Sequence, residues 1–298
     1  MSPRQPVFTG TYTAIVTPFH RGKVDEKALE RLMQAQFRGG VDGVVAVGTT
    51  GESPTLSTEE HIRVIELCVR FAKGRLKVIA GTGANSTEEA IHLAKAAEAV
   101  GADAHLQVAP YYNKPGQEGL FRHFHAVARA TTLPILLYNI PGRCGVDISV
   151  ETVARLAADS VNVVGIKEAG GQPDRVSQLR ATLGPGFSIL SGDDALTLSF
   201  MAVGAHGVVS VASNLVPREV ARMVQGFARG KADLALKLHD RLRPLFKALF
   251  LETNPAPAKA ALAMRGVIDE EIRLPLTLIS PASRRQLKAV LKNLGLLD

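Results

Sequence analysis

The chain has 298 residues, 46% hydrophobic and 21% charged, with a formal net charge of +7. That balance excludes a disordered polymer, and two cysteines, Cys68 and Cys144, exclude a disulfide framework or a cysteine metal cluster. No apolar run approaches the roughly 18 residues of a membrane span, and MSPRQPVFTG has no hydrophobic signal core, so a reducing, cytoplasmic setting is expected.

Short apolar, β-rich runs recur along the chain with helical segments between them. In order they are TAIVTPF, GVVAVGTTGE, KVIAGTG, HLQVAP, ILLYNIP, VVGIKEAG, FSILSGDD and GVVSVASN. Their spacing is that of a repeated strand, loop, helix and loop. Several are apolar on both faces, as buried parallel strands are. Between them, ALERLMQAQF sets Leu29, Leu32, Met33 and Phe37 on one helical stripe. Ser57 with Glu60, and Ser86 with Glu89, have the spacing of capping boxes. Eight such units with right-handed crossovers predict a (β/α)8 TIM barrel over residues 1–230. A doubly wound sheet is the alternative, but no GxGxxG follows the first strand.

After about residue 230 the strand pattern stops. KADLALKLHDRLRPLFKALFL, PAPAKAALAM and SPASRRQLKAVLKNLG predict three further helices, a C-terminal helical appendage over 231–298, with Pro244 kinking or interrupting the first. Most of the excess positive charge lies here, including Arg241, Arg243, Arg284, Arg285 and Lys288. These cations sit at helical spacing among leucines and alanines without interleaved aromatics, the pattern of a solvated helix face rather than a nucleic-acid surface.

A barrel places its site at the C-terminal ends of its strands. The polar residues there are Thr49, Thr50, Tyr111, Tyr112, Tyr138, Arg143, Lys167 and Ser191. Lys167 ends the run Val163–Ile166. A free ammonium titrates near 10.4, but removal of water disfavours the charged form, and catalytic lysines reach about 7–8 that way. A neutral amine can attack a ketone and form an imine, an electron sink that acidifies the neighbouring carbon. The competing role, an ion pair with Glu168, is awkward because adjacent strand residues face opposite sides. Tyr138 follows Ile135–Leu137 and suits either proton transfer to an imine or half-buried packing. Thr49 and Thr50 lie in GTTGE, whose glycines let backbone N–H groups approach an anion, although many turns look alike. Arg143 lies in a loop just past Tyr138, where an arginine either binds a carboxylate bidentately or is solvated. The eight histidines are scattered, and only His123 and His125 are close, so no metal site is expected. Asp193–Asp194 reads as a helix start rather than a carboxylate dyad.

The motifs GTTGES, PYYNKP, YNIPGR, GIKEA and LSGDD, in this order and spacing, resemble the dihydrodipicolinate synthase and N-acetylneuraminate lyase family of pyruvate-dependent class I aldolases. The resemblance covers nearly the whole chain. It implies a lyase that condenses pyruvate with L-aspartate-4-semialdehyde through a Lys167 Schiff base, in lysine and diaminopimelate biosynthesis, with no metal or organic cofactor. It further implies a proton relay of Tyr138, Thr50 and Tyr112, with Tyr112 reaching the neighbouring subunit's site of a homotetramer built as a dimer of dimers. Thr49 and Thr50 would hold the pyruvate carboxylate through backbone groups, Val209 would line the pyruvate pocket through its backbone, and Arg143 would receive the semialdehyde carboxylate. In some relatives lysine inhibits at a dimer interface, and Ser53, Pro54, Thr58, His61, Asn85, Glu89 and Tyr111 match that site. Thr58 departs from the histidine that lysine-sensitive relatives often carry there. The alternatives are an aldolase acting on sialic acid or a 2-oxo-3-deoxy sugar acid, which generally lacks an arginine at position 143, or a silent 2-oxo acid sensor. Neither nucleic acid nor membrane is implied as a partner.

Overall fold

Residues 5–297 are described by the computed structural model. Eight strands form a closed parallel barrel: β1 (Gly10–Ala14), β2 (Gly43–Ala46), β3 (Lys77–Gly81), β4 (Ala104–Val108), β5 (Ile135–Asn139), β6 (Val163–Glu168), β7 (Ser188–Ser191) and β8 (Gly207–Ser210). Each is hydrogen-bonded to the strands before and after it in sequence, and β8 returns to β1. Closure removes both edges of this sheet, so the barrel strands lie between two neighbours each. The first strand starts before the apolar run that signals it. GTYTA, rather than TAIVTPF, forms β1, because Thr11 N–H donates to the Asp42 carboxylate at 2.7 Å and Thr13 Oγ1 donates to Gln36 at 2.6 Å, which satisfies polar groups an apolar pattern overlooks.

The ladder between β5 and β6 has a register shift. Ile135 lies opposite Val163, but Leu136 lies opposite Gly165, so that Tyr138 pairs with Lys167 and Asn139 with Glu168. Without the extra residue on β6, Tyr138 would face Ile166.

Two compact units are distinguished by contact density: one holds Ile79–Val209 with the segment ending at Gly10, the other Thr11–Val78 with the segment beginning at Ser210. In the first, α3 (Thr87–Ala99), α4 (Gln117–Ala130), α6 (Val150–Asp159) and α7 (Pro173–Leu183) pack in succession, burying Leu93, Phe124, Val127, Leu156 and Leu179. Its two remaining helices are short, α5 (Pro141–Cys144) and α8 (Thr197–Ala202). In the second, α1 (Glu26–Gly39) packs on α2 (Thr58–Ala72) and α9 (Pro217–Ala228), and α9 on α10 (Ala232–Ala248). Helices α11 (Ala256–Met264) and α12 (Pro281–Asn293) pack together.

Two local expectations are corrected, and a third is narrowed. Leu29, Leu32 and Met33 are buried, at about 1.5–3 kcal/mol each, but Phe37 is exposed at the edge of the stripe, with the Arg75 guanidinium 4.0 Å from its ring centroid. Ser57 and Glu60 close a full capping box, whereas Ser86 accepts only the Glu89 N–H, half of one. Helix α10 runs through Pro244 without interruption. Its buried face of Leu238, Leu242, Leu245 and Phe246 outweighs the ~3 kcal/mol that an internal proline costs.

Candidate active site

Lys167 and Tyr138 sit side by side near the C-terminal ends of β6 and β5, with the Lys167 ammonium 4.0 Å from the Tyr138 ring centroid. They are only 7% and 4% exposed. Gly192, just past β7, leaves room for the lysine: a Cβ there would stand 2.6 Å from the Ala169 Cβ and 3.1 Å from Lys167 Cε.

Glu168 faces away from Lys167, as strand alternation requires, and is fully buried. Its carboxylate accepts from Asn139 Nδ2 at 3.1 Å on each oxygen, from the Gly170 N–H at 2.6 Å and from Arg175 Nε at 2.7 Å. The pairing of Glu168 with Lys167 is thereby replaced by one with Arg175. Asn139 also donates to Asp147 at 2.6 Å and accepts the Ile148 N–H at 3.0 Å, while Arg175 Nη2 donates to the Ile148 carbonyl. The residues next to Tyr138 and Lys167 are therefore stitched together and to the chain that follows α5. Arg143 lies exposed on α5. Its neighbour Cys144 is buried, which pushes the thiol up to about 11 against the pull of the Arg143 charge, so it is no nucleophile at neutral pH.

The GTTGE turn follows β2. Among the described residues, the bonds that close it use the N–H groups of Gly51, Glu52 and Ser53, donated to the carbonyls of Gly48 and Thr49, and not those of Thr49 and Thr50. Thr17 Oγ1 donates to the Gly51 carbonyl at 2.7 Å. Glu52 adopts a left-handed conformation, φ 58°, and its buried carboxylate meets the Lys259 ammonium and accepts the Arg273 N–H at 3.1 Å. Thr50 is buried and accepts from Asn254 Nδ2 at 2.9 Å.

Tyr112 is 90% exposed and also left-handed, at φ 72°, a conformation that is costly for a bulky residue. Val209 is buried on β8. Ser191 is occupied locally, donating to the Asp193 carbonyl at 2.8 Å. Asp193 caps the turn into α8, its carboxylate accepting the N–H groups of Ala195 and Leu196 at 2.7 and 3.3 Å.

The residues matched to the lysine site lie partly in each of the two compact units, and the contacts of each set are local. Asn85 Nδ2 donates to the Tyr111 carbonyl at 3.3 Å, and burial, helped by the Glu89 charge, raises the Tyr111 phenol. Ser53 and Pro54 form a 3-10 turn, followed by Thr58 and buried His61 on α2. Among the described residues, no group of three or more His, Cys, Asp or Glu side chains is placed to hold a metal, and no helix is long and apolar enough to cross a membrane.

The contacts of Asn139 and Arg175 with Glu168, of Asn254 with Thr50 and of Lys259 with Glu52 are not legible in the sequence. The one available signal was Glu168 itself, because a carboxylate on the far face of a buried strand requires a cation.

The model of the Dihydrodipicolinate synthetase family matches residues 7–294. The 4-hydroxy-tetrahydrodipicolinate synthase of Persephonella marina is 52% identical over 98% of this chain and 100% of its own length. The structure of the enzyme of that name from Methylacidiphilum fumariolicum SolV superposes with a TM-score of 0.96 at 59% identity, covering 97% of this chain and 96% of the other. A dihydrodipicolinate synthase from Cyanidioschyzon merolae with lysine bound has a TM-score of 0.95 at 43% identity, covering 98% and 100%.

Proposed function

Since this chain belongs to the dihydrodipicolinate synthetase family, we propose that it is a lyase condensing pyruvate with L-aspartate-4-semialdehyde through a Lys167 Schiff base, as a 4-hydroxy-tetrahydrodipicolinate synthase of lysine and diaminopimelate biosynthesis. The observation that carries the reading is the buried Lys167 side chain, its Nζ held beside Tyr138 on adjacent strands.

The Lys167 amine adds to the pyruvate ketone, and loss of water leaves an imine. Removal of a proton from the adjacent methyl carbon converts it to an enamine, with the electron pair drawn toward nitrogen. The enamine carbon attacks the semialdehyde carbonyl, forming the carbon–carbon bond, and the oxygen takes up a proton. The amino group of the second substrate then displaces the lysine from the imine carbon, closing the ring and freeing Lys167. Over the whole sequence one water is lost. Each proton movement needs a carrier beside the lysine, and Tyr138, Thr50 and Tyr112 fill that role. The Thr49 and Thr50 N–H groups, which the closing bonds of their turn do not use, suit the pyruvate carboxylate. Val209 lines the same pocket through its backbone. Arg143 receives the carboxylate of the semialdehyde, which favours this substrate over a polyhydroxylated sugar acid. No step draws on a cofactor.

Within the described residues, the chain up to 230 is the catalytic barrel and the chain from 231 is the appended helical region. A homotetramer in the cytoplasm completes the reading, because the outward Tyr112 acts in a neighbouring subunit's site. Borohydride reduction with pyruvate tests the proposal: mass spectrometry is expected to find a reduced three-carbon acid on the Lys167 peptide. In Arg143→Ala that adduct persists while condensation falls roughly 10- to 100-fold. Labelling at another lysine, or none, refutes the Schiff-base assignment.

A further inference from the structure

The segment between α10 and α11, together with α11 itself, lies outside the eight βα units, yet it reaches the GTTGE turn at two points. Asn254 donates through Nδ2 to Thr50 Oγ1 at 2.9 Å, with the residues 4% and 3% exposed. Lys259, on α11, meets the carboxylate of Glu52. Both contacts span more than 200 positions of sequence.

We infer that Asn254 is a positioning residue for the reaction, orienting the Thr50 hydroxyl; the inference rests on reading Thr50 as a member of the proton relay. A hydroxyl has one proton to donate and two lone pairs that accept. A carboxamide NH2 can only donate, so it takes one lone pair and cannot accept the Thr50 proton. The O–H and the second lone pair remain, one donor and one acceptor, which is what a group passing protons between two neighbours requires. Donation from Asn254 also stabilises the oxygen as its proton leaves. In a buried pair, water does not compete for these positions. The Glu52–Lys259 contact fixes the backbone two residues further on, so the turn is held while Asn254 sets the direction of one hydroxyl. The helices beyond residue 230 thereby contribute to the chemistry of a site otherwise built on strand ends.

The test compares wild type, Asn254→Ala, Thr50→Val and the double variant in full-length protein. Readouts are kcat, both KM values, borohydride trapping of pyruvate, and thermal melting to establish folding. Asn254→Ala is expected to lower kcat about 5- to 10-fold, the worth of one buried hydrogen bond, with KM for pyruvate and trapping on Lys167 unchanged. Thr50→Val is expected to lower kcat about 100-fold. The double variant should be no slower than Thr50→Val, because Asn254 acts only through that hydroxyl. Multiplicative losses in the double variant, or an unchanged kcat in Asn254→Ala while Thr50→Val is crippled, overturn the inference and leave the relay standing. An unaffected Thr50→Val instead removes the relay reading itself. Should Asn254→Ala not fold, isosteric Asn254→Asp carries the test. Its carboxylate accepts the Thr50 proton, so activity is expected to fall at neutral pH and to recover relative to wild type in acid, where the protonated group donates again. A pH profile parallel to wild type overturns the inference.

Discussion

Replacing Arg175 by methionine removes the cation that faces Glu168, together with its bond to the Ile148 carbonyl. The Glu168 side chain is wholly buried and the Arg175 side chain 13% exposed, with Nε and Oε2 2.7 Å apart. Methionine retains much of the aliphatic volume but leaves the carboxylate with only the Asn139 amide and the Gly170 N–H as donors. Breaking a buried ion pair by removing one partner costs about 3–5 kcal/mol, mostly from the uncompensated charge. For a chain of this length each kcal/mol corresponds to roughly 2 °C, so Tm is expected to fall by about 6–10 °C. The cost should be coupled to Glu168. In Glu168→Gln/Arg175→Met the buried charge is gone, and most of the loss should be recovered, whereas independent contributions would add. Urea and thermal unfolding followed by circular dichroism measure wild type, Arg175→Met, Glu168→Gln and the double variant. A loss below about 1 kcal/mol in Arg175→Met, or a double variant less stable than the single, refutes the reasoning.

Lysine at millimolar concentration is expected to inhibit partially, since Asn85, Glu89 and Tyr111 are gathered but Thr58 lacks an imidazole for the ε-ammonium; a coupled assay with calorimetry checks this, and unchanged activity with no heat means that these residues do not bind lysine. Acid should destabilise the fold through His105, which lies buried between the Thr82 and Thr131 hydroxyls, 3.3 and 3.0 Å away, and whose desolvation lowers it from 6.5 to about 4. Between those values the unfolded chain binds the proton and the folded chain does not, so stability is intact above pH 6.5 and falls as pH drops toward 4, by ~3 kcal/mol in all. His105→Gln should therefore lose ~2 kcal/mol less than wild type between pH 6.5 and 5 in urea titrations, and equal losses contradict the assignment.

What the sequence alone determines here is what repeats locally. Strand runs recur at the period of a βα unit, so the barrel, its strand ends and the place of Lys167 and Tyr138 on them could be read directly. The opposed directions of Lys167 and Glu168 follow from strand alternation, which is likewise local. The family motifs reinforce this because each sits on one strand end or the loop after it. Tertiary structure decides what depends on chain closure. The register shift that pairs Tyr138 with Lys167 arises where two strands meet, and neither strand's own pattern encodes it. Asn254 reads as an ordinary residue before a proline until folding brings it to Thr50, 204 positions away, and Lys259 reads as a surface cation until it is buried against Glu52. Hydrophobic periodicity reports only which face of an element is buried. Which polar partner waits there is set by the elements that pack against it, and a single sequence carries no local signal for that pairing.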